Sequence, residues 1–208
     1  MATFFLIRHA VNEWVKTGKL AGWTPAVHLN DLGRAQAEAL GQRLAETKLT
    51  ALYSSPLERT LETAQAIAKH HPDLTLHVEN GVGEVRYGEW QGKSLKKLAK
   101  QKAWYTVQHV PSRMQFPDGE TMRGAQARAV DTIERLNLEH PEGIVAVVSH
   151  SDIIKMIVAH YLGMHLDLFQ RLNISPASLS ILHLGNDRPM IQVVNDTSHL
   201  PKEKEKEN

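Results

Sequence analysis

The chain has no cysteine among its 208 residues. That absence excludes disulfide frameworks, thiolate zinc sites and a cysteine nucleophile, and it fits a reducing compartment. Any covalent nucleophile must be Ser, Thr, His, Lys, Tyr, Asp or Glu. Charge of one sign is missing too: 24 Lys and Arg stand against 23 Asp and Glu, which is unlike the one-signed field of a nucleic-acid or anionic-membrane binder. No apolar run approaches the roughly 18 residues of a membrane span, and MATFFLI is short and lacks the basic n-region of a secretory signal. A soluble, cytoplasmic protein is expected, with neither nucleic acid nor membrane as partner. The 12 histidines, His70-His71 included, form no short-spaced set with carboxylates, so neither a metal nor another cofactor is expected. No internal repeat is visible.

What the chain does have is alternation. TFFLI, ALYSSP, LTLHV, GIVAVVSH, ASLSILHL and MIQVVN read as six short strands, the last two as a pair. Helical patterns lie between them. One begins near Asn30 or Asp31 with Leu32, Ala39, Leu40 and Leu44 near one face. The next begins at Ser55-Pro56-Leu57-Glu58, which has the form of a capping box with proline at the first helical position, and continues as Leu57, Leu61, Ala64 and Ala68. Two more cover about 121–140 and 151–162, the latter with Ile153, Ile154, Ile157, Val158 and Tyr161 on one face and Gly163 as its stop. Strands alternating with helices predict an α/β sandwich with a largely parallel sheet, in one domain over residues 1–200. Residues 85–120 are less regular and read as an insertion able to cover a site. The charge run KEKEKEN predicts a disordered tail over 201–208.

In open α/β folds, ligands gather where strands end and helices begin. At those points this chain carries Arg8 and His9, then Ser54, Ser55 and Arg59, then Glu84 and Arg86, and finally Ser149-His150-Ser151. Two arginines, two histidines and a carboxylate suit a phosphate monoester. Arginine presents a planar fork to phosphate oxygens, and a helix beginning at Ser151 adds backbone N–H groups. A histidine in that field can attack phosphorus and form a phosphohistidine that water then hydrolyses. Glu84 can protonate the leaving oxygen and later activate water.

These residues carry a resemblance to a known family. LIRHA, LAGW, LNDLGRAQAEALGQRLA, YSSPLERTLETAQAIA, GEVRYGEWQG, FPDGET, VVSHSDIIKMIVAHYLGM and NDTSHL, in that order, resemble the histidine phosphatase superfamily in its phosphoglycerate-mutase-like branch. The resemblance implies a three-layer α/β/α sandwich around about six mostly parallel strands. It also implies His9 as the phosphorylated nucleophile, a phosphate pocket of Arg8, Arg59 and His150, and Glu84 as proton donor, with Glu89 as a neighbouring carboxyl. The chain departs from the family pattern at five points, one of them Ala21, where Thr or Gln is common. Ala10 and Ser151 replace glycines, Val15 replaces an asparagine, and Asn12 stands where Thr or Ser is usual. Asn12 is therefore a candidate phosphate contact or a loop anchor, and Ser151 a helix cap or ligand contact.

The expected activity is that of a metal-independent phosphomonoesterase acting on a small phosphorylated metabolite. The alternatives are phosphoglycerate-mutase-type transfer and a noncatalytic phosphoester-binding regulator. Arg86, Lys93, Lys96, Lys97, Lys100, Lys102 and Arg113 make the insertion basic, which suggests an acidic metabolite or sugar phosphate; on the plainer view most of them form a solvated helix face. Trp14 and Trp90 are candidates to line a leaving-group pocket. The final two strands could also pair across a homodimer.

Overall fold

The computed structural model describes residues 2–185 and 188–200; the tail expected at 201–208 lies outside the described residues. Six strands form one sheet: β1 (Ala2–Arg8), β2 (Ala51–Ser54), β3 (Leu76–Val78), β4 (Ile144–Ser149), β5 (Leu179–Leu184) and β6 (Met190–Asp196), in the order β3-β2-β4-β1-β5-β6. β1 and β2 each pair with β4 in parallel, and β2 pairs with β3 in parallel; β5 runs antiparallel to both β1 and β6. Only β5 therefore opposes the common direction. The helices are α1 (Glu13–Thr17), α2 (Asp31–Leu44), α3 (Glu58–Ala68), α4 (Leu95–Leu98), α5 (Lys102–His109), α6 (Met122–Glu139) and α7 (Ser151–Tyr161). Among the described residues no helix is long and apolar enough to cross a membrane.

β1 explains the layering. Its side chains alternate, so Phe4 and Leu6 enter a core shared with Ile133 of α6 and Ile153 and Ile157 of α7, while Ile7 enters a second core with Leu40 and Leu44 of α2 and Ala64 and Ile67 of α3. Each fully buried Leu, Ile or Phe stabilises the fold by about 1.5–3 kcal/mol, and both faces of the sheet must be covered to collect it. The result is the expected three-layer α/β/α sandwich with a mostly parallel sheet. α7 ends as anticipated at Gly163, which adopts φ +65°, a conformation costly for any residue with a Cβ.

Three local expectations are corrected. On α2, Leu32 is exposed and Ala39 only half-buried; the inward face is Gly33, Ala37, Leu40, Gly41 and Leu44. The cause is the closeness of α2 to α3, since a Cβ at Gly41 would lie 2.6 Å from the Ala66 carbonyl oxygen. The face is thus chosen by small residues, which hydrophobic periodicity ranks low. The capping box at Ser55 does not form either. α3 starts at Glu58 behind an extended Leu57 with no side-chain cap, because the Ser55 hydroxyl is engaged by His150 instead. Ser151 likewise does not cap α7: it is the first helical residue, and its hydroxyl donates to the Ile174 carbonyl at 3.4 Å.

Register brings the chemistry to one rim. Arg8 lies opposite Ser149 across β1 and β4, and Ser54 opposite Val148 across β2 and β4, so three strands end level. The chain then leaves β1 toward the α2 face and β4 toward the α7 face. Adjacent strands that diverge in this way leave a crevice at their carboxyl ends.

Candidate active site

A cleft of about 300 Å³ opens at that crevice, with Arg8, His9, Asn12, Arg59, Glu84 and Ser151 in its floor. His9 is fixed first. Its backbone N–H donates to the Ser149 carbonyl at 2.9 Å, its own carbonyl accepts from Ala177, and the next N–H, of Ala10, donates to Thr63 Oγ1 at 3.1 Å. The imidazole Nδ1 lies 2.7 Å from the Ala10 carbonyl oxygen. A carbonyl oxygen only accepts, so the proton sits on Nδ1 and Nε2 keeps its lone pair. Burial, then the charges of Arg59 and Arg8, push the His9 pKa well below 6.5. The ring is neutral over the physiological range and presents a free nitrogen.

The cations around it are buried and only partly bonded. Arg8 Nη1 donates to the Ile174 carbonyl at 2.6 Å and Arg59 Nη2 to the Gly22 carbonyl at 2.8 Å. Arg8 Nε and Arg59 Nη1 are buried without a partner, as is Asn12 Nδ2. Orphaned buried donors of this kind are uncommon and call for an explanation; here three of them belong to residues of one cleft floor. Of the two alternatives, Asn12 fills the role of loop anchor. Its Oδ1 accepts from the Val15 N–H at 2.9 Å, capping α1, while its Nδ2 stays free.

His150 stands one layer deeper. Fully buried, it is not among the residues lining the cleft, and its ring lies 5.3 Å from that of His9. Arg59 Nη2 donates to its Nδ1 at 3.3 Å, which leaves the proton on Nε2, 2.8 Å from the Ser55 hydroxyl. Burial and the charge of Arg59 hold it neutral. Glu84 Oε2 lies 3.8 Å from His150 Nδ1, but this is no ion pair, for burial favours the neutral form of both groups. The Glu84 pKa rises to about 7, through burial first and the nearby Asp152 carboxylate second, with Arg59, the Val85 N–H and Arg8 opposing.

Glu84 is held by its backbone. Its carbonyl accepts from Trp23 Nε1 at 2.6 Å and from Arg128 Nη2 at 2.9 Å. The residue before it must be glycine, because the Trp23 ring lies 2.6 Å from where a Cβ of Gly83 would be. Glu89 is exposed and outside the cleft. Tyr87 Oη donates to Asp152 Oδ2 at 3.0 Å, and both residues line the cleft. Sequence reading missed Tyr87, Asp152, Trp23 and Arg128 as parts of the site and gave Ser55 a different task. Tyr87 and Asp152 each lie within three residues of a motif position, so proximity was the available signal. Arg128 sits within a helix and carried none.

Toward its mouth the cleft changes character. Trp14, Leu20, Trp90, Trp104, Val107 and Phe116 line it, so both tryptophans singled out from the sequence are present. Lys93, Lys96, Lys97, Lys100 and Lys102 are exposed, and none is among the described residues of the lining. The basic insertion does not turn its charge inward, because α4 buries only Leu98 and leaves its lysines on the outer side.

The family model for the histidine phosphatase superfamily (branch 1) matches residues 4–197. Phosphoserine phosphatase 1 of Hydrogenobacter thermophilus is 30% identical over 205 residues, covering 96% of this chain and 95% of that protein. The metal-independent phosphoserine phosphatase of Arabidopsis thaliana is 29% identical over 205 residues, covering 94% and 82%. Among solved structures, Bacillus stearothermophilus YhfR superimposes with a TM-score of 0.90 at 24% identity, over 97% of this chain and 100% of that one.

Proposed function

The chain belongs to the histidine phosphatase superfamily, and on that premise we propose that it is a metal-independent phosphomonoesterase working through a phosphohistidine on His9, with Glu84 as proton donor and a small phosphorylated metabolite as substrate. The observation that carries this reading is the His9 Nδ1 bond to the Ala10 carbonyl, which leaves Nε2 unprotonated between two arginines. The phosphoryl oxygens take up the free donors of Arg8, Arg59 and Asn12. The Nε2 lone pair attacks phosphorus, the P–O bond to the alcohol breaks, and the leaving oxygen takes the Glu84 proton. As the imidazole becomes cationic, its Nδ1–H bond to the Ala10 carbonyl strengthens. The resulting Glu84 carboxylate then removes a proton from water, the water oxygen attacks phosphorus, and the P–N bond breaks to return neutral His9. A carboxyl with a pKa of about 7 suits both steps.

His150 serves as a positioning group for Arg59, and the Ser151 end of α7 adds partial positive charge. The arginines supply the charge neutralisation that phosphoryl transfer demands. The names of the relatives, one of them a metal-independent phosphoserine phosphatase, support hydrolysis. So does the outward position of the lid lysines, since a mutase needs cations over a doubly phosphorylated intermediate. The test is phosphate release from a panel of phosphomonoesters with a chelator present, comparing wild type with His9→Ala. Chelator-resistant release that is lost in the variant, together with a base-stable, acid-labile phosphoryl adduct in wild type alone, is the expected result. Release that survives His9→Ala would overturn it.

A further inference from the structure

The mouth of the cleft differs from its floor in a way that bears on the substrate. Trp90 is 3% exposed and Phe116 1% exposed although both line the cleft. They are locked together: the Trp90 ring stacks on Trp104 at 6.2 Å between centroids and meets Phe116 edge-on at 5.3 Å. Phe116 in turn meets Tyr87 edge-on at 5.1 Å. The wall is therefore fixed before a ligand arrives, and a preformed aromatic surface binds at little ordering cost. Apolar lining continues outward to Val15 and Leu95, which are 36% and 38% exposed.

Charge points the same way. Beyond the phosphate arginines, Lys19 is the one cation among the described lining residues, and its Nζ rests 5.6 Å from the Trp14 ring centroid. Asp152, held by Tyr87, places a carboxylate on the opposite account. An anionic leaving group would meet that carboxylate and a desolvating wall. A bulky apolar one set against the aromatic wall would gain about 25 cal/mol for each Å² removed from water.

Building on the phosphatase reading above, we propose that this aromatic chamber is the leaving-group subsite, and that it selects phosphomonoesters of bulky apolar or arylalkyl alcohols over those of small anionic alcohols. The phosphoryl group sits on the arginine floor and the alcohol carbon skeleton lies between Trp14, Trp90 and Trp104, extending toward Leu95.

The experiment compares kcat/KM for 2-phenylethyl phosphate with 3-phosphoglycerate, whose alcohol is anionic, and with O-phosphoserine, whose alcohol is zwitterionic and offers an ammonium to Asp152; all are esters of primary alcohols, so that leaving-group reactivity does not set the order. The phenylethyl ester is expected to lead by about tenfold or more, chiefly through KM. Trp104→Ala should shrink that ratio by about fivefold. Leu95→Asp, at an exposed position that does not threaten folding, should shrink it as well. Equal or better use of 3-phosphoglycerate by wild type overturns the proposal, as does a ratio indifferent to both variants. The same ordering is read without turnover as Kd from quenching of tryptophan fluorescence. Selective binding with no release from any ester would overturn the phosphatase reading and leave the subsite standing, whereas release with reversed selectivity would overturn the subsite alone.

Discussion

At its arginine end the cleft is lined by side chains on the strand ends or on the turns and helix starts that follow them, whereas toward its mouth it is lined by side chains on segments with no strand beneath them. His9 and Ser55 are tied by N–H bonds to the Ser149 and Val148 carbonyls of β4; Trp90, Trp104 and Phe116 are tied chiefly to one another. The first construction gives positional accuracy, because moving one donor means breaking a sheet edge. The second gives a wall that can be rebuilt without disturbing the floor. One end can therefore be fixed for a reaction while the other varies with the alcohol. Changes at the floor should lower turnover of every ester alike, and changes at the wall should reorder esters.

The largest effect that tests this division is expected at Glu84. Glu84→Gln keeps size and hydrogen bonding but removes the proton, so kcat for alkyl esters should fall by about 10²-fold or more, with the same factor for each. In wild type, His9 is already neutral well below pH 6.5, so activity should persist into acid and decline as pH rises through the Glu84 pKa of about 7. The variant should lose that alkaline limb. Folding raises this carboxyl from 4.5 to about 7, so its contribution to stability is whole below pH 4.5 and is lost as pH rises through 7. At about 1.4 kcal/mol per unit, Glu84→Gln should be the more stable chain by up to about 3 kcal/mol at pH 8 and nearly matched at pH 4. Denaturant midpoints at the two pH values check the sign; equal differences at both would mean that Glu84 is not buried as a proton-holding group.

A smaller effect separates floor from wall more finely. Ser55→Ala removes the only side-chain partner of His150 Nε2 among the described residues. A buried donor is stranded, and the ring gains reason to move its proton to Nδ1, where it would oppose Arg59. We expect kcat/KM to fall by about tenfold, in line with the 1–3 kcal/mol cost of an unsatisfied buried polar group. The factor should be the same for phenylethyl and serine esters. A loss confined to one ester would break the division, because it would mean that the His150 layer senses the alcohol.

The floor was largely legible in the sequence because its residues sit at strand ends, where the six β-rich runs and the helices after them already said they must be. Arg8, His9, Arg59, Glu84 and His150 are brought together at that rim as expected, with His150 set behind rather than in the lining. Ser55 was misjudged because one hydroxyl had two plausible partners, a local N–H and a histidine 95 residues away, and only the second depends on tertiary packing. The α2 face was misjudged for a related reason: glycine and alanine form it through close helix approach, a fact about Ala66 of α3 rather than about α2 itself. The wall was legible only in part. Trp14 and Trp90 were near motifs, but Trp104 and Val107 reach the cleft from α5 and Phe116 from the loop before α6, placements that depend on how the segment over 85–120 folds.

The lysines of the segment over 93–102 give the smallest expected effect and the sharpest contrast with the aromatic wall beside them. By count they dominate residues 93–102, and a reading by composition turns them toward an anionic substrate. In the fold, α4 is anchored by Leu98 alone, and Lys96, Lys97 and Lys100 project into solvent. Exposed charges are screened within about 8 Å at physiological ionic strength. The triple variant Lys96→Gln, Lys97→Gln, Lys100→Gln should therefore change kcat/KM for 3-phosphoglycerate by less than about twofold at that ionic strength, with the difference vanishing as salt is added. Only encounter with the anionic ester is affected, and that contribution is the one that salt removes. A salt-insensitive loss of about tenfold would instead require the lysines to contact bound ester, and hence a rotation of α4 that brings its outer side over the cleft. Such a rotation would pull Leu98 from the core and Leu95 from the rim together, so it would also abolish the preference for apolar esters.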